Sequence, residues 1–180
     1  LSSVLHVVNP SPQVKVAVID TGLQSVHELA IPMCDKKLNR DFTNSVKVLS
    51  QLVPTYASYP TEDHDEHGTS ISGLIDKTAG DVSYCQIILK YYDSTVPGSD
   101  NQIATNKALE YAISQKVDII NYSSNGILAD ANEKALIKKA LDAGILIVVA
   151  AGNDRTDLDA ACKSYPACYD DRIIVASGLA

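Results

Sequence analysis

Four runs of apolar, β-branched residues, separated by stretches with helical spacing, constrain this chain more than any other feature. They are Val14 to Asp20, Val82 to Tyr92, Val117 to Tyr122 and Ile145 to Ala151, and a shorter run at Ile173 to Ser177 follows. Runs of this length without polar alternation fit strands buried on both faces. Between them lie His67 to Lys77, Asn101 to Gln115 and Asp130 to Ala143, each with apolar residues at helical spacing. Asp130 to Ala143 has the clearest helix signals. Asp130 is placed to cap it, Glu133 follows three residues on, Lys138 and Lys139 lie towards the negative end of its dipole, and Gly144 stops it. Leu136 with Ala140, and Ile137 with Leu141, form its buried stripe. In the second helix Ala104, Ala108, Leu109, Ala112 and Ile113 share a face. Lys37 to Thr43 is a weaker strand candidate, and Val46 to Pro60, with two prolines, reads as a loop or edge segment. The pattern predicts an α/β fold: a three-layer, mostly parallel sheet flanked by helices. In such sheets ligands bind beyond the carboxyl ends of the strands, so the informative residues are Asp20, Ser123 to Gly126 and Gly152-Asn153.

Composition narrows the function. With 180 residues the chain has one domain's worth of sequence and can bury a full core. It carries 15 basic and 22 acidic residues, for a net charge of −7, and no Lys/Arg cluster, which argues against nucleic-acid binding through phosphate neutralisation. No apolar run is long enough for a membrane-spanning helix. The start at Leu1 reads as a processed or trimmed end. None of the four cysteines falls in a C-x-x-C pair. Cys162 and Cys168 lie six apart in a polar loop, where they can pair, and Cys85 reads as a small core residue.

Three residues stand where chemistry is to be expected, and each has a plain alternative. Asp20 ends a buried strand, where a carboxylate needs hydrogen-bond donors or serves as a turn cap. His67 begins H-G-T-S-I-S-G-L-I; it can face a cleft, or be a surface histidine among Glu62, Asp63, Asp65 and Glu66. Asn153 ends I-V-V-A-A-G-N, placed to donate its amide to a developing oxyanion or to serve a turn.

Taken together and in order, V-A-V-I-D-T-G, H-G-T-x-x-x-G-x-I and A-A-G-N on an α/β pattern resemble the subtilisin-like serine peptidases, the subtilases, from about Val14 to the end of the chain. I-I-N-Y-S-S-N-G resembles that family's substrate-binding strand, and Y-P-A-C-Y with I-I-V-A-S-G resembles the segment after its oxyanion asparagine. The resemblance implies Asp20 as triad carboxylate, His67 as general base and Asn153 as oxyanion donor. It implies that Ser123, Ser124, Asn125 and Gly126, with Ala150, Ala151 and Gly152, flank the first specificity pocket, and that Ser123 to Asn125 pair with an extended substrate. Asn125 stands where the family often has glycine, which leaves substrate preference open. A cis Tyr165-Pro166 bond is also implied.

The nucleophile does not follow. The family's serine lies in a G-T-S-x-A-x-P stretch downstream of the asparagine, and none follows Asn153. Gly68-Thr69-Ser70 belongs to the histidine motif; Ser70, Ser123 and Ser124 are weak substitutes. The chain therefore reads as a single subtilisin-like domain over 1–180, C-terminally incomplete and truncated before the serine motif. The alternative is a catalytically dead, peptide-binding relative. The expected partners are a polypeptide substrate and a C-terminal remainder or pro-segment of the same protein, with neither nucleic acid nor membrane. No cofactor is required; structural calcium is compatible with the family and the acidic composition, although no ligand loop stands out. Secretion is the family's habit.

Two other classes compete. His64-x-x-His67 among acidic residues is a metal-site candidate, but it lacks the H-E-x-x-H of zinc peptidases. Nucleotide binding lacks both G-x-G-x-x-G and a P-loop after the first strand.

Overall fold

A computed structural model describes residues 13–27, 30–43, 61–95, 101–155 and 157–178. The expected loop at 46–60 lies outside the described residues. Among the described residues six strands form one sheet: β1 (Val14–Asp20), β2 (Arg40–Asp41), β3 (Tyr84–Lys90), β4 (Ile119–Tyr122), β5 (Leu146–Ala150) and β6 (Ile174–Ala176). Their order is β2-β3-β1-β4-β5-β6, and every pairing is parallel. The segment 37–43, read as one weak strand, divides into a 3-10 turn at Lys36–Leu38 and the two-residue β2. Asp35 caps that turn by accepting from the Lys37 amide, so the backbone is committed to a turn before the strand can begin.

Three α-helices of the described residues cover the sheet: α1 (His67–Ala79), α2 (Asn101–Ser114) and α3 (Ala131–Asp142). Helix α1 lies on one face, where Ile71, Ile75 and Ala79 pack on Val16, Val18, Leu23 and Ile88. Helices α2 and α3 lie on the other, over Ala17, Ile19, Ile87, Leu89, Ile120 and Ile147. The alternation along β1 sends odd and even residues to different helices, which is why both parities are apolar. The arrangement is the three-layer α/β fold that the periodicity predicts.

Cys85 departs from its reading as a plain core residue. It is buried, and it is bonded to Cys34, with Cα atoms 4.7 Å apart. The strand pattern identified its burial, but its partner lies 51 residues away in an irregular segment that periodicity does not reach. Cys162 and Cys168 form a second disulfide.

Candidate active site

All strands run the same way, so Asp20, the segment after Tyr122 and the segment after Ala150 emerge on one edge. Strand β4 lies between β1 and β5, which puts the last two segments about 5 and 10 Å across from Asp20 at sheet spacing. Asp20 closes β1 with its side chain almost fully buried. Its Oδ1 lies 2.7 Å from His67 Nδ1 and accepts the Thr21 amide at 2.8 Å. Its Oδ2 is buried with no hydrogen-bond donor among the described residues. Burial pushes the Asp20 carboxyl above its ordinary value, against the pull of His67 and the Thr21 N–H. The His67 side chain is 53% exposed, so one nitrogen is held by the carboxylate while the ring remains open to solvent.

Contact between residues 47 apart depends on glycine. His67 is the first residue of α1, and Gly68 drives that helix end against the turn after β1. A Cβ on Gly68 would sit 2.4 Å from the Gly22 carbonyl oxygen and 3.2 Å from Asp20 Cβ. Gly22 has φ +122°, and a Cβ there would sit 2.3 Å from the Thr61 carbonyl. Thr21 Oγ1 accepts the Gly68 amide at 2.8 Å and completes the junction. Gly68→Ala is therefore expected to lower unfolding stability by about 3 kcal/mol, since backbone on both sides prevents relief of the overlap. Chemical denaturation of the two proteins side by side checks this.

Asp63, which reads in the sequence as one more acid around the histidine, organises the approach to α1. Its Oδ1 accepts the amides of Asp65 and Glu66, and its Oδ2 accepts the amide and hydroxyl of Thr69. Glu66 can then adopt φ +64° ahead of the helix. Burial opposes ionisation of Asp63, but these donors outweigh it and hold its carboxyl below the ordinary range. A depressed folded-state value contributes stability that is complete above the unfolded carboxyl pKa and is lost as pH falls through the folded value. Acidification below about pH 4 should lower the melting temperature. Asp63→Asn should lower it at neutral pH and make it less dependent on acid, as thermal melts at pH 7 and pH 3 would record.

A second histidine–aspartate pair lies beside the first. Lys90, the register partner of Asp20, is 2% exposed and turns its ammonium to Asp93 Oδ2, 2.6 Å away, and to the Glu62 carbonyl. His64 Nδ1 reaches the same Asp93 oxygen at 2.9 Å. Burial works against the Asp93 charge, and Lys90, Thr95 and His64 reverse it, holding the carboxyl well below the usual range. His64 and His67 thus engage different carboxylates. Among the described residues no group of three or more His, Cys, Asp or Glu side chains is placed to hold a metal ion. The sequence does not single out Lys90 and Asp93, although they lie three residues apart, because their pairing with each other and with the distant His64 depends on burial; the Asp63 cap acts mainly on backbone amides, which have no sequence signature.

After β4, Ser123 Oγ accepts the Asn121 amide group at 2.9 Å, and Ser124 Oγ accepts the Tyr91 hydroxyl at 2.8 Å. Gly126 and Tyr165 exchange two backbone hydrogen bonds of 2.8 Å, and the Tyr165-Pro166 bond that follows is cis. After β5, the Ala151 amide is bonded to the Ala176 carbonyl. Gly152 takes φ +98°, with the Asn125 amide nitrogen 2.7 Å from where a Cβ would be. The Asn125 side chain therefore lies against Gly152 and closes in on the space between the two segments. Asn153 is exposed, and no hydrogen bond joins it to Asp20 or His67 among the described residues. Beside Gly152 is an open cavity of about 470 Å³, lined by Ile127, Ala151, Arg155, Lys163 and Ser164 among others. So Asp20 and His67 are in direct contact, while the segments after β4 and β5 and Asn153 share their edge of the sheet with no hydrogen bond to either side chain among the described residues.

The family model described as "Subtilase family" matches residues 11–178. Subtilisin of Bacillus pumilus is 30% identical over 171 residues, covering 91% of this chain and 56% of the relative. Subtilisin E of Bacillus subtilis is also 30% identical over 171 residues, with 40% of its length covered. The Intracellular serine protease of Paenibacillus polymyxa is 30% identical over 178 residues, with 49% covered. The chain thus spans about half the length of the relatives it matches. Among solved structures, the Staphylococcus aureus epidermin leader peptide processing serine protease, as its S393A mutant, aligns with TM-score 0.64 and 20% identity over 90% of this chain and 45% of that one. MycP1 with its N-terminal propeptide removed aligns with TM-score 0.63 and 21% identity, over 93% and 57%.

Proposed function

Since this chain belongs to the subtilase family of serine peptidases, we propose that it supplies the Asp–His pair and the substrate-binding edge of an endopeptidase that cleaves extended polypeptides. The observation that carries the reading is the 2.7 Å contact between the buried Asp20 carboxylate and Nδ1 of an exposed imidazole. In that geometry Nδ1–H donates to Asp20, which leaves Nε2 as the basic nitrogen facing solvent. Nε2 takes the proton of a serine hydroxyl as the oxygen attacks the scissile carbonyl. The imidazolium, stabilised by Asp20, then returns the proton to the leaving amine. Water repeats the sequence on the acyl-enzyme. The Asn153 amide donates to the oxyanion of each tetrahedral intermediate; loss of this donor in subtilisin lowers turnover by about 10²–10³.

Backbone groups of Ser123 to Asn125 pair with the substrate as an added strand. Gly126 and Ala150 to Gly152 flank the cavity for the side chain at the cleavage point, where Asn125 narrows the entrance. The proposed nucleophile lies outside these 180 residues: no G-T-S-x-A-x-P stretch is among them, and the relatives are about twice as long. The mechanism calls on no cofactor. The two disulfides favour an oxidising compartment and hence secretion. No helix of the described residues is long and apolar enough to cross a membrane.

A serine-reactive fluorophosphonate probe applied to the full-length product tests the reading. Labelling that disappears with His67→Ala supports it. A full-length product that does not label but binds peptides persistently, with no cleavage product by mass spectrometry, is instead a peptide-binding relative without catalysis.

A further inference from the structure

Tyr91 connects three strand ends. It is the first residue after β3, and its amide donates to the Asp20 carbonyl at 3.0 Å. Its hydroxyl donates to Ser124 Oγ at 2.8 Å. Since β1 lies between β3 and β4 in the sheet, this one residue ties the strand that ends in Asp20 to the segment that leaves β4. Its ring packs edge-on against Tyr122, the last residue of β4, with centroids 5.6 Å apart and planes at 84°. Burial pushes the phenol up to about 12, so the hydroxyl remains a donor throughout the range in which a histidine base works. The proposed reaction gives it no proton to move.

Ser124 lies in the segment proposed to pair with a peptide. The flanks of that segment are held by the backbone: the Ser124 amide donates to the Tyr122 carbonyl at 2.9 Å, and Gly126 exchanges two bonds with Tyr165. The Ser123 hydroxyl is engaged by Asn121 of β4, and the Asn125 side chain lies against Gly152. The Tyr91 hydroxyl supplies the hold from the side of β1 and β3. A peptide that adds as a strand needs the N–H and C=O groups of its partner already in line. A segment free to shift must be ordered at the moment of binding, which weakens affinity without altering the chemical step.

We propose that Tyr91 is a positioning residue: through Ser124, its hydroxyl holds the backbone of Ser123 to Asn125 in place for an extended peptide. The inference rests on the peptide-binding reading of the edge.

The test uses the full-length product, as wild type, Tyr91→Phe, Ser124→Ala and the double variant. Tyr91→Phe keeps the ring and the amide bond to Asp20, so it removes the hydroxyl alone. Steady-state kinetics on a fluorogenic hexapeptide are compared with the labelling rate of a fluorophosphonate that carries no peptide. Tyr91→Phe should raise KM about three- to tenfold, the range for one lost hydrogen bond, with kcat and labelling within about twofold. Ser124→Ala should do the same. The double variant should lose no more than either single one, because both remove the same contact. If the product binds peptides without cleaving them, the Kd of a labelled hexapeptide, read by anisotropy, takes the place of KM. An affinity within twofold of wild type, or losses that multiply in the double variant, overturns the proposal while leaving the peptide site intact. A fall in kcat and labelling without a rise in KM also overturns it, since the tyrosine then acts on Asp20. Absence of any peptide binding or cleavage by the wild type overturns the underlying reading and this inference with it.

Discussion

His67→Ala should lower kcat of the full-length product on an extended peptide by about 10⁶, the scale that removal of the histidine produces in subtilisin itself. The expectation comes from geometry. The serine hydroxyl is a poor nucleophile until a neighbouring base takes its proton, and His67, at the end of α1 packed on the turn after β1, is an exposed imidazole whose Nδ1 is already anchored by the buried Asp20 carboxylate. Asp20→Asn should cost less, about 10⁴, because the ring stays in place but loses the partner that fixes its tautomer and stabilises its charge. Steady-state kinetics on a fluorogenic peptide, with thermal melts to show that both variants fold, supply the measurement. A loss under tenfold for either would remove Asp20 and His67 from the mechanism. His64→Ala is the control: its ring is committed to Asp93, so its loss should affect kcat by far less.

Opening the Cys34–Cys85 bridge should produce the largest stability effect in the molecule. The bond closes a loop of 51 residues, for which chain-entropy arguments give about 4 kcal/mol. It ties the segment before the Lys36–Leu38 turn to β3, next to where Cys34 N and Gln86 N exchange hydrogen bonds with the sheet and with Pro32. Cys34→Ser with Cys85→Ser is expected to reduce the denaturant midpoint well beyond the matching pair at Cys162 and Cys168. That second bridge closes only six residues and restricts the unfolded chain less. Guanidinium melts of the two double variants decide the order, and equal losses would contradict the loop-length argument.

How much was legible in the sequence follows from what each feature depends on. Strands β1, β3, β4 and β5 and helices α2 and α3 lie within the segments marked by their apolar spacing, and α1 begins at His67 as marked and runs two residues past Lys77. Both parities of β1 are apolar because helices cover both faces. Asp20, His67 and Asn153 stood out through their motifs and their positions at element ends. The misreadings share one cause. Cys85 looked like core because burial is local in the pattern while its partner is not. Glu133 looked like a capping-box acid because the box is a four-residue pattern, whereas the group that takes its place at the Asp130 amide, the Tyr169 hydroxyl, arrives from beyond β5. Asp63 looked like one of several acids because backbone amides, its main partners, have no sequence signature.

The sequence by itself determined the layering, the parallel direction and the edge at which chemistry is to be sought. These depend on the period of apolar residues and on what ends each run, and both are written within a few positions of the chain. Only the tertiary structure decided which groups meet there: Asp20 with His67 across two glycines, His64 with Asp93 and Lys90, and Glu133 with Tyr169. These are pairings within hydrogen-bond distance between residues up to 47 apart, made by packing two elements against each other to a fraction of an ångström, and no local period encodes that distance.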